Sequence, residues 1–185
     1  MIRPLETPTL YGENVTLRRL KRSDRDDLKT AAGHRSVSRY LSFMPYPYTS
    51  DHARKLINRT HRWERRGLGC CFGISDNRSS RIVGVCDLFN YNHKDSLAEI
   101  GYWLGRDSWH RGFMSESVQL ILRYAFQTLR LHRVYAVTSC RNKWSIHLLK
   151  KAGFAQEATW RSCTRRGNRW DDAFGFGLLK SEFKG

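Results

Sequence analysis

The chain has 185 residues, 40% of them hydrophobic, which is enough for one packed domain and too apolar for a disordered tail. Its 33 Lys and Arg against 17 Asp and Glu give a net charge of +16. Such a surface attracts polyanions (nucleic acid, ribosomes, phosphorylated ligands, anionic membranes) without choosing among them, and it equally fits a basic bias that only keeps the chain soluble.

No run approaches the roughly 20 apolar residues of a membrane span. Met1-Ile2-Arg3-Pro4-Leu5-Glu6 lacks the apolar stretch of a secretory signal. The five cysteines are an odd number without a CxxC pair, which fits free thiols in the cytoplasm better than disulfides or zinc. The histidines show no metal-ligand spacing, so no metal is expected.

Along the chain, strand and helix signals alternate. Val15 to Arg18 reads as a strand. Ser23-x-x-Asp26 reads as a capping box opening a helix over 24–33. Tyr46-Pro47-Tyr48-Thr49 reads as extended, and Thr49-Ser50-Asp51 caps a helix near 51–66 that Gly67 and Gly69 end. Cys70–Ser75 and Ile82–Phe89 are strands joined by the polar turn 76–79, and Ala98–Leu104 is another. Residues 115–129 carry the clearest helical periodicity, through Met114, Val118, Ile121, Leu122, Ala125, Phe126 and Leu129. Val134–Ser139 is a strand and 143–152 a short helix. A hairpin closes the chain, Glu157–Cys163 and Asp172–Leu179 about a turn at 166–168. The expected fold is one α/β domain of six or seven strands and four helices, spanning 1–185 with a core of about 15–183.

Three segments carry the chemistry. Ala98-Glu99-Ile100-Gly101-Tyr102-Trp103-Leu104 is a strand. Trp109-His110-Arg111-Gly112-Phe113-Met114-Ser115-Glu116 is a basic, glycine-containing loop running into the strongest helix. Asn142-Lys143-Trp144-Ser145 opens the helix that leads to Gly153-Phe154. The first N–H groups of a helix lack intrahelical partners and sit at the positive end of its dipole. Gly112 allows an anion close to the backbone, and Arg111 adds charge. The loop therefore suits a phosphate or pyrophosphate, and it also suits an ordinary helix cap. No GxGxxG follows the first strand, which excludes a dinucleotide-binding Rossmann unit.

Together these segments resemble the GNAT acetyltransferase superfamily, whose Q/R-x-x-G-x-G/A loop binds the pyrophosphate of acetyl-CoA. Here the six positions are Trp109, His110, Arg111, Gly112, Phe113 and Met114. Gly112 matches; Trp109 and Met114 depart from the pattern at either end. Tyr46-Pro47-Tyr48-Thr49, Leu131-His132-Arg133-Val134, Asn142-x-x-Ser145 and Leu178-Leu179 extend the likeness, and it is closest to the RimJ/RimL branch, which modifies protein N-terminal amines. The resemblance implies a mostly antiparallel mixed sheet with strands splayed at the acetyl-CoA site. It also implies transfer of acetyl to a primary amine by direct attack in a ternary complex.

The implied roles follow the motif positions. Glu99 is the candidate base and Ser145 the candidate acid. Many superfamily members carry a tyrosine acid where this chain has Leu149. Trp103, Leu104, Trp109, His110, Arg111, Gly112, Phe113, Met114, Ser115, Asn142 and Ser145 are the cofactor-side candidates. Phe89, Tyr91 and Tyr102 are candidates for lining the acceptor cleft, and they equally suit the core. Glu116 suits the helix dipole, and Glu157 is a weaker alternative base. The implied partner is a protein N-terminus, of ribosomal-protein type, with ribosome association through the basic surface, as a monomer or homodimer. A small amine such as a polyamine or aminoglycoside is the alternative acceptor. A non-catalytic acyl-CoA- or RNA-binding module is the alternative class.

Overall fold

The computed structural model describes residues 4–41, 43–166 and 168–185, with Arg166 described through its backbone alone. One sheet of eight strands organises them. In chain order these are β1 (Leu10–Tyr11), β2 (Val15–Arg19), β3 (Cys70–Asp76), β4 (Ile82–Asn92), β5 (Leu97–Leu104), β6 (Arg133–Ser139), β7 (Ala155–Arg166) and β8 (Arg169–Leu179). Their spatial order is β1-β2-β3-β4-β5-β6-β8-β7. Five helices accompany them: α1 (Arg25–Ala32), α2 (Arg35–Ser38), α3 (Ser50–Arg65), α4 (Phe113–Arg123) and α5 (Lys143–Lys151). No helix among the described residues is long and apolar enough to cross a membrane.

Every neighbouring pair of strands is antiparallel except β5 and β6. A parallel pair needs a crossover, and α4 supplies it. That pairing covers only three residue pairs, Leu97–Glu99 against Arg133–Tyr135. Beyond Glu99 the two strands part, as the resemblance implies, and the opening positions the site.

The sheet is covered on both sides. On one face, Val118, Ile121, Leu122 and Ala125 meet Phe72, Leu88, Ile100 and Leu17. On the other, Leu28, Ala32, Ala53 and Ile57 meet Leu20, Cys71, Val85 and Trp103. Both faces of β3 are therefore buried, which explains why its sequence lacks a polar–apolar alternation.

Several expectations need correction. Ser23 and Asp26 do not form a capping box. Asp24 does that work, accepting the Lys21 N–H at 2.7 Å, and a 3-10 turn at Arg22–Asp24 precedes α1. Tyr46-Pro47 is a bend with a cis peptide rather than extended chain. The strongest helix starts at Phe113, two residues earlier than its periodicity suggested, and passes into a π turn, Tyr124–Thr128, in which the Leu129 N–H reaches the Tyr124 carbonyl. β1 and α2 were not anticipated; at two and four residues they are too short to show a period. The terminal hairpin strands are longer than expected. Gly167, in its expected turn, lies outside the described residues.

The signals that held have visible causes. The Thr49 hydroxyl accepts the His52 N–H at 3.4 Å, and His52 Nδ1 accepts the Thr49 N–H at 3.1 Å, so the two ends of the first turn cap each other. Gly67 adopts φ +63°, and the Leu68 N–H closes on the Trp63 carbonyl, ending α3.

Candidate active site

A cleft of about 380 Å³ opens where β5 leaves β6. Trp103 and Leu104 line it from β5, and the loop from Trp109 to Ser115 from one side, though without Arg111. Asn142 and Ser145 line it from α5. The three separated segments thus converge.

The loop is built to leave its N–H groups free. Gly112 sits at φ +77°, a left-handed conformation costly for other residues, and it heads α4 without a side-chain cap. A Cβ placed there would meet nothing within 4 Å. The space above the backbone is therefore open, and the first turn of α4 presents its N–H groups to it. An anionic group fits this cradle.

Trp109 takes the position usually held by Gln or Arg and acts differently. Its Nε1–H donates to the Leu104 carbonyl at 2.8 Å, tying the loop to the end of β5. His110, at φ +60°, packs edge-on against Trp144 with ring centres 5.0 Å apart. Arg111, expected to face phosphate, turns away. Its guanidinium lies over the Phe113 ring, 4.2 Å from the centroid, and reaches Asp76 at 3.4 Å. The reason is electrostatic: Asp76 is a buried carboxylate of the β3–β4 turn, and Arg111 is the cation next to it. Glu116, in the first turn of α4, accepts from the Asn14 N–H and Nδ2 at 3.1 and 3.2 Å and pins the β1–β2 turn.

Ser145 is buried, and its Oγ lies 2.8 Å from the Tyr102 hydroxyl. Its N–H donates to Asn142 Oδ1 at 3.3 Å, which makes Asn142 the N-cap of α5. Burial pushes the Tyr102 phenol far above its ordinary range, so it stays protonated, despite the hydrogen bond from Ser145 that works the other way. Leu149, in the position where a tyrosine acid is common, is fully buried.

Glu99 lies on the opposite face of β5. Its Oε2 accepts from Asn90 Nδ2 at 2.9 Å, and Tyr135 hydrogen-bonds to it as well. Partial burial raises its pKa, and those two hydrogen bonds hold the rise in check. Glu157 is a poor rival: the Arg133 guanidinium holds its carboxyl below the ordinary range, at the sheet edge.

The three aromatics do not form one wall. Phe89 stacks on Trp63 of α3, ring centres 6.0 Å apart. Tyr102 faces Ser145. Tyr91 packs against the α4 side of the core and against His93. A register shift after Phe89, with Asn90 at φ +51°, breaks the alternation that would have placed Tyr91 on the face of Phe89.

Other cleft residues were missed. Trp144, His147, Leu148 and Lys151 recur at three- and four-residue spacing on α5, a periodicity that could have marked a cleft-facing stripe. Val37, Tyr40 and Leu41 arrive from the segment around α2, for which no local pattern exists.

A mixed sheet splayed between β5 and β6, with an open helix N-terminus at the gap, defines an acyl-transfer scaffold. Residues 14–155 match the Acetyltransferase (GNAT) domain model, and the chain belongs to this family of N-acetyltransferases. It is 33% identical to the uncharacterized N-acetyltransferase p20 of Bacillus licheniformis over 96% of this chain and 99% of that one. It is 29% identical to the [ribosomal protein uS5]-alanine N-acetyltransferase of Escherichia coli over 63% and 59% of the two chains. Spermidine N(1)-acetyltransferase of Vibrio cholerae is 25% identical over 93% and 96%. Mycobacterium smegmatis RimJ, solved in complex with CoA-disulfide, superposes with a TM-score of 0.88 at 19% identity, over 99% of this chain and 92% of that one.

Proposed function

We propose that this enzyme transfers acetyl from acetyl-CoA to the α-amine of a protein N-terminus, of ribosomal-protein type. One observation carries the reading. Strand pairing stops after Glu99, whose carboxylate sits at the last β5–β6 pair on the face of β5 away from the cleft, while the Ser145–Tyr102 hydroxyl pair lines the cleft itself.

The chemistry follows from that placement. The first-turn N–H groups of α4 hold the pyrophosphate over Gly112, with Lys151 adding positive charge along the cleft. Trp103 and Leu104 border the pantetheine arm. The β6-facing main-chain groups of β5 beyond Glu99 have no ladder partner, so an N–H there can bind the developing oxyanion. The amine attacks the thioester carbon, a C–N bond forms, and the C–S bond breaks. Glu99 takes the amine proton, directly or through a water, and its raised pKa suits that task. Ser145 gives its proton to the departing thiolate and regains one from solvent through the open cleft, while the Tyr102 hydroxyl, kept protonated by burial, holds the Ser145 Oγ in place.

The basic surface supports work beside the ribosome. Arg22, Arg25, Arg54, Lys55, Arg62 and Arg65 border two neighbouring grooves along α3. The test is a screen of peptide N-termini, polyamines and aminoglycosides with acetyl-CoA, reading thiol release. Peptides should give the highest kcat/KM; a preference for spermidine would move the acceptor to the small amines. On the preferred acceptor, Ser145→Ala should lower kcat about 10-fold or more while CoA affinity, read by calorimetry, changes little.

A further inference from the structure

The strand register draws a straight row across the middle of the sheet: Cys71 on β3, Asp87 on β4 and Gly101 on β5 are direct partners. The next row is Phe89, Glu99 and Tyr135. Side chains two apart on a strand share a face, so Asp87 and Glu99 are diagonal neighbours on the α3 side, roughly 7 Å apart between Cβ atoms. The residues flanking Asp87 are small. A Cβ at Gly101 would lie 2.5 Å from Asp87 Oδ1, which means the carboxylate occupies the space a side chain would fill, over the strand that leads to the gap. Gly101 is thus needed for Asp87 and the edge of the Phe89 ring to lie over β5.

Above this row stands Arg59 of α3. Its guanidinium rests on the Trp63 ring, 5.0 Å from the centroid, and Trp63 stacks on Phe89. Its charge acts on Asp87, on Tyr48 and on Cys71. Arg59 Nε is buried and has no hydrogen-bond partner among the described residues. A buried donor left unpaired costs stability, so this one calls for a partner, whether ordered water or a ligand. Asp87 lies within reach of that charge and accepts a hydrogen bond from the Gly101 N–H. Burial pushes its carboxyl up to about 7, Glu99 adds to the rise, and Arg59 and the Gly101 N–H pull against it. The charged and titratable groups that interact with it are Arg59 from α3, Glu99 from β5, Cys71 and Cys70 from β3 and its neighbour Cys86.

We infer that Asp87 and Arg59 form the acceptor subsite beside Glu99: Asp87 holds the acceptor ammonium and Arg59 Nε–H donates to an oxygen next to it. This rests on the acetyl-transfer reading and narrows the acceptor to an amine flanked by a carbonyl, as in a peptide N-terminus or an amino-acid amide. A polyamine offers nothing for the arginine to donate to. Its second cation would instead face the Arg59 charge.

The experiment compares two amines of matched shape, an alanine-terminated peptide amide and isopropylamine, in wild type, Asp87→Asn, Arg59→Met and Arg59→Lys. Arg59→Met should lower kcat/KM about 10-fold or more on the peptide and less than about 2-fold on isopropylamine, in line with loss of a charged hydrogen bond. Arg59→Lys should recover part of the loss. Asp87→Asn should raise the KM of the peptide about 10-fold, leave the KM of acetyl-CoA unchanged, and raise Tm at pH 8. The rise in Tm follows because a carboxyl whose folded pKa is elevated costs stability once it ionises, and the amide removes that cost. A residue with no part in acceptor binding would show the same rise in Tm and leave the acceptor KM alone, so the KM decides. Equal losses on both amines with Arg59→Met, or an unchanged acceptor KM with Asp87→Asn, overturn the inference. So does a wild-type enzyme that turns over spermidine but no carbonyl-flanked amine, while acetyl transfer itself would stand. Turnover of amino-acid amides but no protein N-terminus would remove the protein acceptor and leave the subsite in place.

Discussion

Glu99 has a demanding position if it is the base. An N-terminal amine has a pKa of about 7.7–8.0 and is mostly protonated at neutral pH, so attack needs a group to take that proton. A carboxylate at its ordinary pKa is a weak acceptor. Burial raises the Glu99 pKa, and the Asn90 and Tyr135 hydrogen bonds favour its ionised form and oppose the rise. The sign matters for the pH profile: a raised pKa moves the acid limb of kcat/KM upward, toward neutrality, because the ionised form is the active one. Glu99→Gln keeps the shape and the Asn90 contact but accepts no proton. We expect kcat to fall by about 10²-fold, CoA affinity to hold, and added base to restore part of the rate as free amine forms unaided. A mutant that retained wild-type kcat from pH 6 to 9 would assign Glu99 to structure.

At the scale of elements, the α4 N-terminus invites a direct test. Gly112→Val places a β-branched residue at φ +77° and fills the open space above the backbone. CoA affinity, by calorimetry, should fall about 10-fold or more in a protein whose circular dichroism is unchanged; an unaltered affinity would remove this loop from the phosphate site. This element was readable in the sequence because its signals are local: glycine before a strong amphipathic period. The same holds for α3, with Thr49 before it and Gly67 after, and for the β5 strand that carries Glu99. What escaped was non-local. Asp87 reads as one polar residue in a strand, and only register with Gly101 and the approach of Arg59 from α3 give it a neighbourhood. The Ser145–Tyr102 contact joins positions 43 apart, and no spacing rule predicts it. The outward turn of Arg111 depended on Asp76, from a different hairpin. The bulge after Phe89 reversed Tyr91 without leaving a glycine or proline as a marker.

Over the whole molecule, the +16 charge is unevenly spread. Along α3, Asp51 pairs with Arg54 and Lys55, and Asp26 pairs with Arg25, yet Arg22, Arg62 and Arg65 still face the same two grooves. Close like charges repel, so the folded state bears a cost that salt or a polyanion relieves. If this face meets ribosomal RNA, a single-stranded RNA oligonucleotide should bind at low salt and raise Tm, and both effects should vanish near 0.5 M NaCl. The slope of log K against log salt is about −0.7 per phosphate neutralised on a single strand. Removing two contacts with Arg62→Ser and Arg65→Ser should therefore flatten it by about 1.4. Both side chains lie on the outer face of α3, away from the cleft, so peptide acetylation should be unaffected. A slope that the double variant does not change would place the RNA contact elsewhere on the surface, and no binding at 50 mM salt would leave the charge as a matter of solubility.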